Sequence, residues 1–278
     1  MAIRRFRDFW DAFFHAPLRR AAEEQRAHVA AASGPDWHVA VVLVTAALML
    51  TVQRYVFRSG NVGMALDVLA DVMDASAHAR LAELANAPEN SMLASLIYWA
   101  FGQFVVYVAG PALVIKLLFR QRLADYGAKL REMFTCAWAY LLMAAVMLPG
   151  VWFASTRESF LDTYPFYRLA EEEPLWPRFL IWELCYAIQF VSLEFFFRGF
   201  LLHGTRRRFG AYSIYAMMVP YCMIHFGKPP LETLGAIAAG IVLGFMSLKT
   251  RSIWMGAALH ICVAWSMDAA ALWRTGRI

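Results

Sequence analysis

The sequence predicts an all-α fold, a polytopic membrane helix bundle with about seven transmembrane helices. Two observations support this prediction. The chain of 278 residues is 60% hydrophobic and only 17% charged, whereas soluble globular domains usually carry about 45–50% apolar and about 25% charged residues. Its apolar residues also cluster in runs close to the roughly 20 residues that a helix needs to cross a bilayer core. This composition excludes a disordered chain, a disulfide-stabilised scaffold and an ordinary soluble enzyme.

Seven apolar stretches account for the predicted spans. A backbone in lipid must satisfy its own hydrogen bonds, so helices are the expected structure for runs of this length. In chain order, the stretches are residues 38–57, 92–118, 134–154, 177–203, 211–227, 232–248 and 252–273. In the sixth stretch, small residues recur about every four positions between Gly235 and Gly244, a spacing that lets helix backbones approach closely.

The first 36 residues form a separate segment before the first span. They do not form a signal peptide, because Asp8 and Asp11 would interrupt its apolar core. Apolar side chains recur at helical spacing opposite the charged ones, at Ile3, Phe6, Trp10, Phe13 and Phe14. This pattern predicts an amphipathic helix that ends near Pro17 and lies on the anionic cytoplasmic leaflet. The alternative is a cytosolic helix packed against a loop.

The distribution of basic residues predicts how the chain crosses the membrane. Segments 1–36, 120–133, 204–210 and 248–251 hold fifteen Lys and Arg residues, whereas the alternate segments hold seven. The positive-inside rule therefore places the N-terminus in the cytoplasm and, with seven spans, the C-terminus outside. Together with the absence of an organelle signal, this distribution favours a bacterial inner membrane.

Four ionisable residues lie well inside the predicted spans and are candidates for a functional site, because a charge in lipid is costly unless it is paired or solvated. Glu194 and Arg198 are four residues apart on one helix, so they can form an ion pair that is either structural or part of a site. His225 and His260 lie on two further helices. Two histidines and a carboxylate can deprotonate water, directly or through a divalent metal, or relay protons. Lesser candidates, nearer to span ends, are Glu183, Asp268 and Lys116.

The order of these residues resembles the CPBP family of intramembrane proteases, which includes the type II CAAX prenyl endopeptidases and bacteriocin-processing and self-immunity proteins. The family pattern has two adjacent glutamates, an arginine after three intervening residues, then Phe-x-x-x-His and His-x-x-x-Asn. The corresponding motifs here are Leu193-Glu194-x-x-x-Arg198, Tyr221-x-x-x-His225 and His260-x-x-x-Ala264. The likeness covers about residues 177–268. Leu193 replaces the first glutamate of the pattern, and Ala264 replaces the asparagine.

The resemblance implies an intramembrane metalloendopeptidase. In this family a glutamate and a histidine are thought to activate the water that attacks a peptide carbonyl, while later residues stabilise the oxyanion. Glu194 corresponds to the second glutamate, Arg198 to its partner, His225 to the water-activating histidine and His260 to the third-motif histidine. The resemblance also implies a divalent metal, zinc, with Glu194, His225 and His260 as its ligands.

Two functional hypotheses follow. The first is an endopeptidase that uses water activated by Glu194 and His225 to cleave a membrane-associated protein or peptide. The second is a catalytically inactive relative that acts as a membrane scaffold or binding protein, a reading favoured by the two departures from the motifs. A transporter is less favoured, because no internal repeat is visible. The expected partners are a membrane protein or peptide substrate and the lipid bilayer, with no nucleic acid.

The predicted organisation of the chain has four parts. A cytoplasmic amphipathic segment covers residues 1–36, and N-terminal transmembrane helices and loops cover residues 37–175. The CPBP-like protease core covers residues 176–273, and a short tail covers residues 274–278.

Overall fold

A computed structural model of the chain describes residues 2–130, 133–168, 173–228 and 230–278. The regular elements in these ranges are helices, which confirms the all-α fold class. In chain order they are α1 (Ala2–Trp10), α2 (Ala16–Ala31), α3 (Trp37–Tyr55), α4 (Val62–Ala70), α5 (Ala75–Asn86), α6 (Pro88–Phe104), α7 (Gly110–Leu113), α8 (Ala137–Ala154), α9 (Glu158–Leu161), α10 (Arg178–Glu194), α11 (Leu202–Phe209), α12 (Ser213–Met223), α13 (Pro230–Thr250) and α14 (Trp254–Arg274). Wider π-helical turns continue several of them, at Asp11–His15, Val105–Ala109, Val114–Leu118 and Phe195–Leu201.

Six helical segments within the described ranges are long and apolar enough to cross a membrane, so the protein is an integral membrane protein. They are Trp37–Tyr55, Pro88–Leu118, Ala137–Ala154, Arg178–Met223, Pro230–Thr250 and Trp254–Arg274. The fourth segment contains 46 residues and covers two of the seven predicted stretches. Gly210 interrupts it with a φ of 57° and a ψ of −131°, a conformation that is nearly restricted to glycine.

Helix α12 differs from the span expected over residues 211–227. It contains 11 residues, about 16 Å at 1.5 Å per residue, which is too short to cross the bilayer core alone. The chain leaves the helix after Met223 and turns at residues 224–228 before α13 begins at Pro230. The fifth predicted span is therefore a short helix, and it forms one half of a hairpin with α13.

Contacts divide the chain into two compact units. The first unit comprises Met1–Ala47, Pro111–Ala137 and Glu194–Gly256, and the second comprises Leu48–Gly110, Trp138–Leu193 and Ala257–Ile278. In the second unit, aromatic and aliphatic side chains from α6, α10, α14 and the segment before α10 form a buried core. Its buried members are Leu93, Leu96, Tyr167, Phe179, Trp182, Tyr186, Ala264 and Leu272.

In the first unit, the N-terminal helices pack against the C-terminal end of α13. The Phe14 ring lies 5.7 Å from that of Phe245, and the Lys249 ammonium lies 4.3 Å from the centre of the Phe13 ring. The helix does not end near Pro17 as predicted. The π-helical turn Asp11–His15 leads directly from α1 into α2. Pro17 lies in the first turn of α2, where a proline leaves no hydrogen bond unmade.

The predicted close approach of the small-residue face of α13 is confirmed at two of its glycines. A Cβ atom on Gly240 would lie 2.8 Å from Met218 Cγ, and one on Gly244 would lie 2.9 Å from Met217 Cε. Both methionines belong to α12, so the two helices are antiparallel neighbours. Gly235, by contrast, faces open space.

This packing predicts opposite effects for two matched substitutions. Gly240→Ala should destabilise the protein by about 1–3 kcal/mol, because the added methyl group overpacks the α12–α13 contact. Gly235→Ala should be neutral or gain up to about 1 kcal/mol, because alanine favours the helix and nothing obstructs its methyl group. Unfolding by sodium dodecyl sulfate in mixed micelles measures both changes. Equal effects of the two substitutions would contradict the close approach at Gly240.

Candidate active site

Glu194 and Arg198 form the predicted ion pair at the end of α10. Arg198 Nη1 lies 2.9 Å from Glu194 Oε1, and the side chains are 0% and 1% exposed. Helix α10 ends at Glu194 and continues as the π-helical turn Phe195–Leu201, all of whose residues are buried. Such turns are rare in proteins as a whole, but those that occur are often found at functional sites. The sequence therefore places a carboxylate and a guanidinium inside apolar packing, where each requires the other.

Tyr221 of α12 closes one face of this ion pair. The guanidinium carbon of Arg198 lies 3.9 Å from the centre of the Tyr221 ring, a cation–π contact shielded from solvent. Phe197 meets the same ring edge-on at 5.3 Å. The family pattern has phenylalanine at the position of Tyr221, and the sequence alone assigned no role to this residue. Its position four residues before His225, on the same helix face, was the signal for a role in the site.

His225 lies just beyond the end of α12, and its backbone contacts fix its ring. Its Nδ1 donates to the Tyr221 carbonyl oxygen at 2.8 Å. A carbonyl oxygen only accepts hydrogen bonds, so Nδ1 carries the proton and Nε2 carries the lone pair of the neutral ring. The Thr233 hydroxyl donates to the His225 carbonyl at 3.0 Å, which ties this turn to α13. The imidazole is half-buried and presents Nε2 as a basic nitrogen.

Gly256, near the start of α14, lies directly against Glu194. A Cβ atom at this position would lie 2.5 Å from Glu194 Oε2, so any larger side chain must displace the carboxylate. We expect Gly256→Ala to destabilise the protein by about 1–3 kcal/mol through overpacking, and to impair whatever function Glu194 serves. Thermal unfolding and a functional readout, with Gly235→Ala as the control, test this expectation. A Gly256→Ala protein with the stability and function of the wild type would contradict it.

The third-motif residues lie in the second unit. His260 is half-buried, and its ring stacks on Phe190 with centres 5.5 Å apart. Ala264 packs in the apolar core. Asp268 is fully buried, and its Oδ1 accepts the Phe166 amide at 3.1 Å. Its carboxyl group also lies close enough to that of Glu183 for the two groups to interact electrostatically. Asp268 is thus engaged in the core and is not a substitute for the missing asparagine.

The zinc site implied by the family resemblance has no matching ligand set. Within the described ranges, no three His, Cys, Asp or Glu side chains come together in a way that could hold a metal ion. The guanidinium of Arg198 also lies against Glu194 Oε1, and a cation would compete with it for the same oxygen. In the first unit, Arg198 therefore takes the place beside Glu194 that a resident zinc ion would need.

A comparison with known protein families finds a match in the part of the chain that carries these motifs. Residues 174–266 match the family model described as Type II CAAX prenyl endopeptidase Rce1-like. No curated protein and no solved structure matches the sequence. The matched range contains Glu194, Arg198, His225 and His260, and it coincides closely with the range over which the motifs were found. The chain therefore carries, over residues 174–266, a domain of the Rce1-like type II CAAX prenyl endopeptidase family.

Proposed function

We propose that the protein is an intramembrane endopeptidase that hydrolyses a peptide bond of a membrane-associated protein or peptide. The observation that carries this proposal is the buried ion pair of Glu194 and Arg198, stacked on Tyr221. The same tyrosine, through its carbonyl, orients His225. A buried ion pair contributes little to stability compared with apolar packing of the same volume. Its presence among apolar spans therefore favours a chemical role.

In the proposed reaction, the lone pair on His225 Nε2 removes a proton from a water molecule as its oxygen attacks the peptide carbonyl carbon. The carbonyl electron pair moves to oxygen, and the resulting imidazolium then returns its proton to the leaving nitrogen as the C–N bond breaks. The products are a new carboxyl group and a new amine. Glu194, kept ionised by Arg198, accepts a hydrogen bond from the same water and stabilises the imidazolium.

The oxyanion formed in this reaction needs a hydrogen-bond donor. The family resemblance assigns this role to His260. Ala264 has no donor to contribute, so this chain has one donor fewer than the family pattern. We accordingly propose a slow protease rather than an efficient one, since one missing oxyanion donor costs roughly 10²–10³-fold in turnover in other hydrolases.

A non-catalytic membrane scaffold is the second candidate function. Leu193 and Ala264 favour it, because each lacks the polar group found at that position in the family pattern. In a scaffold, the Glu194–Arg198 pair would serve only to fix the helices. The nearly isosteric Glu194→Gln substitution would then leave function intact and change only stability.

A quantitative comparison of membrane proteomes separates the two candidates and identifies a substrate. Cells lacking the endogenous protein would express wild type, Glu194→Gln or His225→Ala at matched levels in the membrane. The protease predicts a cleavage product that appears with wild type and is absent with both variants. Identical protein profiles, with both variants still restoring the function lost on deletion, would contradict catalysis.

The proposal includes the orientation of the chain in the membrane. The fifteen Lys and Arg residues of the predicted cytoplasmic segments support a cytoplasmic N-terminus and cleavage near the cytoplasmic surface of a bacterial inner membrane. Reporter fusions that are active on one side of the membrane only, placed at each terminus, test this orientation. An active exported reporter at the N-terminus would contradict it.

A further inference from the structure

A polar cavity of about 110 Å³ lies in the first unit, and neither Glu194 nor His225 lines it. Four parts of the chain line it: His28 in α2, residues 36–39 at the start of α3, residues 121–126 after the second candidate span, and residues 203–207 in α11. The last three of these parts lie where an apolar segment becomes polar. Trp37, beside the cavity, is 73% exposed, and tryptophan is enriched at the lipid–water interface. The cavity is therefore at the level expected for lipid headgroups.

Two buried polar atoms in the lining have no hydrogen-bond partner among the residues that the structure describes: Arg206 Nε and His203 Nδ1. The Ser247 hydroxyl donates to the Arg198 carbonyl at 3.2 Å, so its oxygen accepts from His203 Nε2 at 3.2 Å. His203 Nδ1 must then carry the lone pair, and it is an acceptor without a donor. Arg206 Nε is a donor without an acceptor. Buried groups of this kind are normally satisfied by a ligand or by ordered water.

The charged groups around the cavity are of both signs. Arg206 is held by Glu24 at 2.9 Å, and Arg207 is exposed at the rim. Asp125 is also exposed at the rim. Asp36 is engaged by His28 at 2.7 Å and by a backbone amide.

The lining therefore offers cationic donors together with acceptors. Burial alone would raise the pKa of Asp36, but its hydrogen bonds with the His28 ring and the Val39 amide bring that pKa below its ordinary value. Asp36 is therefore ionised at neutral pH.

We propose that this cavity binds a phosphate ester bearing a primary ammonium group, the chemistry of a phosphoethanolamine headgroup. The phosphate oxygens accept from Arg206 Nε and from Arg207, as charge-assisted hydrogen bonds. The ammonium donates to His203 Nδ1. Basic pockets between transmembrane helices at the membrane surface are a known mode of headgroup binding. Phosphatidylethanolamine is the favoured source, because the lining residues stand at the ends of membrane spans.

The proposed site also connects to Arg198 through two hydrogen bonds. His203 donates to Ser247, and Ser247 donates to the Arg198 carbonyl. A headgroup that fixes the His203 ring would thereby restrain the π-helical turn that carries Arg198. This consequence does not depend on catalysis, since it concerns the stability of the fold.

Thermal unfolding of the purified, delipidated full-length protein in detergent tests the proposal. The probes are phosphatidylethanolamine, phosphatidylcholine and phosphatidylglycerol with identical acyl chains. Phosphatidylcholine keeps the phosphate, but its quaternary ammonium has no N–H to donate to His203. We expect phosphatidylethanolamine to raise the unfolding midpoint at concentrations about tenfold lower than the other two lipids do. Equal shifts from all three lipids would overturn the proposal.

A matched pair of variants controls for general lipid effects. Arg207→Gln removes a rim guanidinium and should weaken the response to phosphatidylethanolamine about tenfold. Arg208→Gln makes the same change in charge one residue further on, outside the cavity lining, and should respond as wild type does. Equal responses of the two variants would overturn the assignment of the phosphate to Arg207.

Soluble O-phosphoethanolamine distinguishes the two sources of the headgroup. A shift only with the lipid supports the site and assigns it to the membrane. An equal shift with the soluble ester supports the site and assigns it to a soluble phosphate ester. The absence of any shift with either source would overturn the proposal.

Discussion

An Arg198→Met protein is expected to lose about 3–5 kcal/mol of stability, because the substitution leaves the Glu194 carboxylate buried without its ion-pair partner. The two side chains are 0% and 1% exposed, so water cannot replace the guanidinium. The substitution also removes the cation–π contact with Tyr221. Unfolding by sodium dodecyl sulfate in mixed micelles gives the free-energy change.

The double variant Glu194→Leu with Arg198→Met is the control for this result. It replaces both charges with apolar groups and should recover most of the lost stability, since exchanging a whole buried pair for apolar packing is often neutral or stabilising. A protein with Arg198→Met alone that is as stable as wild type would contradict the buried ion pair.

His225→Asn is expected to reduce turnover of the substrate by about 10²–10⁴-fold, the usual contribution of a positioned general base. The asparagine amide can still donate to the Tyr221 carbonyl, as His225 Nδ1 does, but it has no basic nitrogen in the place of Nε2. Stability should therefore change little. Cleavage rates of reconstituted protein, with the substrate identified from the membrane-proteome comparison, measure the loss.

Phe226→Leu is the matched control for His225→Asn. Phe226 follows His225 in the same turn, and it is 67% exposed, so its substitution tests the turn without touching the imidazole. We expect it to retain the activity of wild type. Equal losses of activity in the two variants would contradict a chemical role for His225 and indicate a requirement for the turn itself.

The helical membrane fold could be predicted from the sequence because hydropathy and helix length are properties of each segment alone. Every predicted apolar stretch contains helix in the structure. What hydropathy could not predict was the length of α12. Residues 211–227 are predominantly apolar, but Gly210 and the turn after Met223 limit the helix to 11 residues. Turns of this kind depend on backbone dihedral angles and packing against α13, and an average of hydropathy contains neither.

The ion pair in the candidate site could also be predicted, because residues four apart on a helix face the same direction. The role of Tyr221 was missed although it lies four residues before His225, because its contact with Arg198 joins two helices and cannot be predicted from the spacing within one helix. The zinc ligand set implied by the resemblance stays a prediction of the same indirect kind. Its three proposed ligands are far apart in the sequence, and matching residue types do not by themselves bring side chains together.

The source of the oxygen in the new carboxyl group, followed by ¹⁸O incorporation, tests the central claim most directly. Purified protein reconstituted in vesicles would cleave the identified substrate in water enriched in ¹⁸O, and mass spectrometry would examine the new C-terminus. Hydrolysis by water activated at Glu194 and His225 predicts one ¹⁸O atom at each new C-terminus formed by wild type, none in the amine fragment, and no product with Glu194→Gln. Products formed at equal rates by wild type and Glu194→Gln would contradict the claim.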